Sequence, residues 1–347
     1  MRFADVNRRS PWLRYLILAV AGAIVLGVSG LALASAPARL GSHEKVVFEV
    51  TGGEGASSIA NRLEEVGLVR DRLAFRTLSA LLGWNGQLKV GKYEMSPGLS
   101  TWSILHRIGR GEVLKISVTI PEGYTLGQIE TLLVEKGLAT KEAFDQAVSR
   151  ADTAGEFPFL PAKRSRFIQP YEGVLFPDTY FFEESATAET IVRTMARRTV
   201  AVFTPEFLAR AQELGLTPLE VLTLASIIEK EAVLAEERPV VSSVYHNRLR
   251  VGIKLDACPT VRYVIGKPPE KPLLFKDLEV VSPYNTYNNA GLPPGPICSP
   301  GLAAIQAALY PAESDYYYFV AKNDGSHYFS RTLEEHNRAV AKYQGGN

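Results

Sequence analysis

Only two of the 347 residues are cysteine, Cys258 and Cys298, and only five are histidine, at positions 43, 106, 246, 327 and 336. No Cys-x-x-Cys or His-x-x-x-His pair occurs, so neither a metal site nor any cofactor is expected. In an oxidising compartment the two cysteines could close a loop of about 40 residues; two free thiols fit the sequence as well, because their separation in space is not written in it. Charge of one sign is also missing. Lysine and arginine number 38 against 37 acids, which leaves no basic field for a nucleic acid and favours a neutral partner. With 46% hydrophobic residues the chain is neither disordered nor of low complexity, and it is long enough for two ordinary domains.

Long charge-free runs are rare, and the one that matters lies near the start. Residues 15–36 are about 22 residues without a charge, enough at roughly 1.5 Å per residue to span a bilayer core of about 30 Å. Arg2, Arg8, Arg9 and Arg14 precede it with Asp5 alone opposing them. The positive-inside rule then places residues 1–14 in the cytoplasm and the rest of the chain outside. Ala32-Leu-Ala34 and Ala34-Ser-Ala36 have the small residues of a signal-peptidase site, but the run exceeds the roughly 7 to 15 residues of a cleaved signal. An uncleaved, single-pass anchor is expected, followed by a polar linker over 37–45.

Beyond the linker one pattern recurs three times: Gly53 with Ile59 and Leu63, Gly98 with Ile104 and Ile108, and Gly123 with Ile129 and Leu133. A β-rich run precedes each glycine (46–50, 90–95 and 116–120), and helical spacing follows, so each unit predicts strand, turn and helix. Thr125 and Gln128 have the spacing of a capping box. Gly67, Gly109 or Gly111, and Gly137 stand where left-handed helix caps are preferred. Such units suit small α+β modules, either binding carbohydrate or spacing a catalytic domain from the membrane. Prolines 158, 161 and 170 break any long helix between 138 and 170. The aromatic run 171–182, carrying Glu172 and Asp178, suits either a sugar-stacking surface or a strand packed in a core.

From Leu219 to Ala235 apolar residues recur at three- and four-residue spacing, the signature of an amphipathic helix. Its end carries Glu229-Lys230-Glu231. The plain reading of such a triplet is solvated charge. Helical phase separates the two acids: Glu231 falls about 60° from the centre of the apolar arc and Glu229 about 100°. Burial of Glu231 would raise its pKa above about 4.3 and keep a proton available near neutral pH, as acid catalysis at a glycosidic oxygen requires. A second helix over 236–250 brings Tyr245, Asn247 and Arg248. The Gly- and Pro-rich stretch 282–301 then fixes a rigid path in which Tyr284, Asn285, Thr286 and Tyr287 offer hydroxyls, an amide and aromatic faces to a neutral, hydroxyl-rich ligand.

The combination of Ala225-Ser-Ile-Ile-Glu-Lys-Glu231, Val244-Tyr-His-Asn-Arg-Leu249, Pro259-Thr-Val, Tyr284-Asn-Thr-Tyr287, Gly291-Leu-Pro-Pro-Gly-Pro296 and Glu172-Gly-Val-Leu-Phe-Pro-Asp-Thr-Tyr180 resembles the endolytic murein transglycosylases, the YceG-like family, over nearly the whole chain. That resemblance implies an α+β fold: transmembrane helix, LysM-like module over 46–115, connecting region over 116–187, and a mixed α/β catalytic domain over 188–347. It implies a lytic transglycosylase of the inner membrane with its catalytic domain in the periplasm, cleaving the bond between N-acetylmuramic acid and N-acetylglucosamine in nascent glycan strands and leaving a 1,6-anhydromuramic end. The catalytic residue would be Glu231, acting as acid and then as base. Ser226, Glu229, Asn247, Thr260, Tyr284, Asn285, Thr286 and Tyr287 would bind substrate, and peptidoglycan synthases are the neighbours the resemblance suggests. A second carboxylate, Glu172 or Asp256, is left open by the sequence. The competing reading is a membrane-anchored, non-catalytic glycan-binding scaffold. Two positions depart from the family pattern. Cys258 stands where Asp is common and Cys298-Ser299 where a small residue precedes Asn, and a disulfide joining the two cysteines is the expected replacement.

Overall fold

The computed structural model describes residues 11–153, 159 and 166–345. Arg2, Asp5, Arg8 and Arg9, on which the expected cytoplasmic N-terminus rests, and the helix breakers Pro158 and Pro161 lie outside the described residues.

Helix α1 (Pro11–Ala34) contains the apolar span Tyr15–Ala34, 20 residues long, with Leu18, Leu26 and Leu33 among its exposed side chains. It is long and apolar enough to cross a membrane. The remainder clusters into two compact units, one gathering the chain up to residue 115 with 183–185, the other residues 116–182 and 186–347.

In the first unit, β1 (Val46–Val50) is followed by α2 (Ala56–Glu65), α3 (Arg72–Leu81), β2 (Gly91–Met95) and α4 (Thr101–Arg110). The strands pair antiparallel, with Val46 opposite Met95 and Val50 opposite Gly91. Alternation puts Phe48, Val50, Tyr93 and Met95 inside, where they meet Ile59 and Leu63 of α2 and Ile104 and Ile108 of α4. These are the apolar positions of the first two repeats. Helix α3 is the piece the spacing argument misses; its signal is Asp71, whose carboxylate accepts the Leu73 N–H at 2.7 Å as an N-cap.

The second unit opens on β3 (Lys115–Thr119), α5 (Leu126–Glu135), α6 (Lys141–Thr153) and β4 (Thr179–Glu183), with β3 and β4 paired. The Thr125/Gln128 capping box is present at the start of α5. Then come α7 (Ala188–Val202), α8 (Pro205–Glu213), α9 (Pro218–Glu231), α10 (Arg238–Val251), α11 (Cys258–Ile265) and α12 (Leu302–Leu309), followed by the hairpin of β5 (Tyr318–Ala321) and β6 (His327–Ser330), and α13 (Leu333–Tyr343). The Thr332/Glu335 capping box marks the start of α13.

Helix α9 is the centre of this unit, packed against α8, α10, α11 and α12. Every residue from Val221 to Ile228 is buried, polar Thr223 and Ser226 included. A helix buried all round has no dry face to set against a wet one, yet at its end Glu231 is the more desolvated of the two acids, as helical phase leads one to expect: burial raises both carboxyls, that of Glu231 to about 7. The Glu229 side chain is nevertheless only 8% exposed, and the two also differ in what each one faces.

Candidate active site

The end of α9 stops on Glu231 because Ala232 turns extended (φ −85°, ψ 107°). Glu231 therefore sits at the last helical position, partly buried, in the wall of a cleft of about 680 Å³. Thr125, Gln128, Ile168, Gln169, Glu172, Lys230, Cys258, Arg262 and Tyr263 line the same cleft. The Tyr245 hydroxyl, carried on α10, donates to Glu231 Oε1 at 3.3 Å. Burial pushes the Glu231 carboxyl up to about 7, against the smaller opposing pulls of the Tyr245 hydrogen bond and the Arg262 charge. A group in that range holds a proton at neutral pH and can still give it up.

Glu172 is the second carboxyl in the cleft and is 2% exposed. Its Oε1 accepts the Leu126 N–H at the start of α5 at 2.8 Å. Burial again dominates and raises it to about 7, while the Leu126 amide, the Tyr263 hydroxyl and the Lys230 charge pull the other way. Asp256 does not line this cleft. It pairs with Arg248 at 3.0 Å and takes a positive φ of 50° in the turn leading to Cys258.

Glu229 looks elsewhere. Its Oε2 accepts the Gly301 N–H at 2.9 Å and its Oε1 lies 3.5 Å from Arg238, so it clamps the 291–301 loop to α9. Ser226 does the same: its hydroxyl donates to the Thr223 carbonyl at 2.7 Å and accepts the Ile297 N–H at 3.0 Å. The other expected ligand groups also have protein partners. Asn247 donates to the carbonyls of Ser314 and Tyr316. Asn285 donates to those of Leu278 and Val280, and Thr286 accepts the Ala257 N–H at 3.0 Å while contacting the Thr260 hydroxyl at 3.0 Å. Thr260 also donates to the Ala257 carbonyl at 2.8 Å. Tyr284 is fully buried, and Tyr287 meets Cys258 Sγ at 3.0 Å. None of these residues lines the Glu231 cleft: most hold its loops in position, Asn247 faces a separate pocket beside Arg210 and His246, and Tyr287 is half-buried. Residues absent from the sequence-based site, Gln128, Gln169, Arg262 and Tyr263, form the wall itself. Little in the sequence marks them, because they come from three separate segments.

The expected disulfide is not formed. Both thiols are free, Cys258 against the Tyr287 hydroxyl and Cys298 donating to the Ser226 carbonyl at 3.4 Å. Each sulfur is occupied by a different neighbour, and burial pushes both thiols up, away from the reactive thiolate. Among the described residues no group of His, Cys, Asp and Glu is arranged to hold a metal ion.

A central helix presenting a carboxyl poised near neutrality to a cleft of mixed polar and apolar lining is the kind of arrangement that acid–base catalysis uses. The family comparison is specific: the profile of the YceG-like family matches residues 48–342, and the chain belongs to that family. It is 33% identical over 338 residues to a Bacillus subtilis (strain 168) protein named endolytic murein transglycosylase, covering 94% of this chain and 91% of that one. A Streptococcus pneumoniae (strain D39) protein of the same name is 33% identical over 333 residues, which are 88% of this chain and 60% of the pneumococcal one. Among solved structures, a yceG-like protein of Listeria monocytogenes matches with a TM-score of 0.59 and 35% identity, over 85% of this chain and 99% of the other.

Proposed function

We propose that this protein is a membrane-anchored endolytic murein transglycosylase, cutting peptidoglycan glycan strands between N-acetylmuramic acid and N-acetylglucosamine. The observation that carries the reading is the Glu231 carboxyl, raised to about 7 in the wall of an open cleft; the names of the relatives supply the substrate class.

Glu231 in its neutral form protonates the glycosidic oxygen as the C1–O bond breaks and oxocarbenium character develops at C1. The carboxylate left behind takes the proton of the muramic acid C6 hydroxyl, and O6 closes onto C1 to give the 1,6-anhydro ring. The proton count closes and no water is consumed, so one carboxyl serves both steps. Tyr245 holds Glu231 in place from behind. Helix α1 is read as a single-pass anchor with the bulk of the chain outside the inner membrane, in the periplasm. The β1-α2-α3-β2 order of the first unit supports a small LysM-like module over 46–115. Peptidoglycan synthases are the partners we expect beside it.

Purified, uncrosslinked glycan strands incubated with the full-length protein should yield fragments ending in 1,6-anhydromuramic acid by mass spectrometry. Reducing ends instead would mean hydrolysis, and intact strands would mean a glycan-binding scaffold.

A further inference from the structure

Glu172 is not used by the mechanism above, yet it lines the same cleft and is almost wholly buried. A backbone N–H can only donate, so the 2.8 Å bond from Leu126 fixes Oε1 as an acceptor. Whenever this carboxyl is neutral, its proton is on Oε2; the Tyr263 hydroxyl and the Gly173 N–H also act on the carboxyl. Capping α5 does not explain an acid here. Thr125 and Gln128 already close that helix with a full capping box. The groups that face Glu172 are Lys230 from α9, Tyr263 from α11, and Tyr284 and Cys298 from the loops. No cation forms an ion pair with it among the described residues. The Tyr263 hydroxyl acts on the Glu172 carboxyl itself, and the buried Tyr284 hydroxyl on the backbone of Ile168.

We propose that Glu172, in its neutral form, is a second substrate-contacting carboxyl, donating from Oε2 to the acetamido carbonyl of a bound N-acetylated sugar and so fixing the sugar for Glu231. This rests on the glycan-cleaving reading above. Both carboxyls must then be protonated in the free enzyme, and burial holds both at about 7. Ionisation of Glu172 removes the donor and sets a charge against the carbonyl oxygen.

The test is the pH dependence of kcat/KM for the full-length protein on uncrosslinked strands, read as 1,6-anhydro ends. Two groups that must carry protons make the rate fall about a hundredfold per pH unit well above pH 7, and one group about tenfold. The wild type is expected to show the steeper fall. Glu172→Gln keeps an acceptor for the Leu126 N–H and a donor for the acetamido carbonyl but cannot ionise, so it is expected to hold kcat/KM near pH 6 close to that of the wild type and to show the shallower fall. A purely structural role would shift the melting temperature and leave the slope alone. A wild-type slope of one, or a slope that Glu172→Gln leaves unchanged, overturns the proposal. Should Glu172→Gln fail to fold, binding of strands to Glu231→Gln decides: with Glu231 unable to titrate, affinity should still fall about tenfold per pH unit above pH 7, and pH-independent binding overturns the proposal. Absence of anhydro ends from the wild type would sink the transglycosylase reading itself, whereas anhydro ends with an unchanged slope would sink only the role of Glu172.

Discussion

Replacing Glu231 by glutamine should make the protein more stable at neutral and alkaline pH. Folding raises the Glu231 pKa from 4.5 to about 7, with burial as the main cause. Below the unfolded value both states hold the proton and nothing is lost. Between the two values the unfolded chain has ionised while the folded one has not, and each pH unit costs about 1.4 kcal/mol of stability. Above about 7 the full penalty is in place, roughly 3 kcal/mol for this shift. Glutamine fills the same volume and still offers an oxygen to the Tyr245 hydroxyl, but it has no charge to desolvate. The gain for Glu231→Gln is therefore up to about 3 kcal/mol at pH 8 and near zero at about pH 4. For a unit of this size that corresponds to a melting temperature raised by about 6 to 12 °C. Calorimetry or urea melts of both proteins at the two pH values read it directly, and Glu172 titrates alike in both and cancels. A gain of equal size at both pH values would assign the effect to packing and refute the ionisation argument; no gain at pH 8 would refute the raised pKa.

Three further outcomes follow from the same packing. Glu229→Ala leaves the Gly301 N–H without its acceptor and Arg238 without its partner, and should cost about 2 to 4 kcal/mol in a chemical melt; a neutral result would mean that the clamp on the 291–301 loop is not holding it. Ser226→Ala strands the buried Ile297 N–H and should cost about 1 to 3 kcal/mol, read by the same melt, with Ser226→Thr failing to restore it because the site is fully buried. Thiol titration of denatured, unreduced protein should find both cysteines free, and reductant should leave the melting temperature unchanged; a single disulfide would contradict the separate partners of Cys258 and Cys298.

Much of the local architecture is legible in the sequence. Glycine followed by apolar residues at six and ten positions marks strand, turn and helix three times because both periods, two for strands and 3.6 for helices, are local properties of the backbone. The α9 helix and its carboxylates are equally local. The cleft is not. Glu172 and Glu231 line one cleft with residues of α5, α11 and the end of α9, and no spacing rule reports the meeting of segments that far apart. Side-chain chemistry misleads in the same way: the Tyr284–Tyr287 run looks like a sugar-gripping loop, yet Asn285 and Thr286 spend their hydrogen bonds on Leu278, Val280 and Ala257. A tight, irregular loop must satisfy its own backbone before it can serve a ligand. The cysteines show the remaining gap, since pairing depends on a distance that sequence does not carry.

The most direct test of the central claim compares the rate at which wild type and Glu231→Gln form 1,6-anhydro ends on the same strands near pH 6.5, with both proteins shown to be folded. Loss of a group that acts as acid and then as base should lower the rate by about 10²- to 10⁴-fold or more. A Glu231→Gln variant that cuts within a few-fold of wild type would contradict the account.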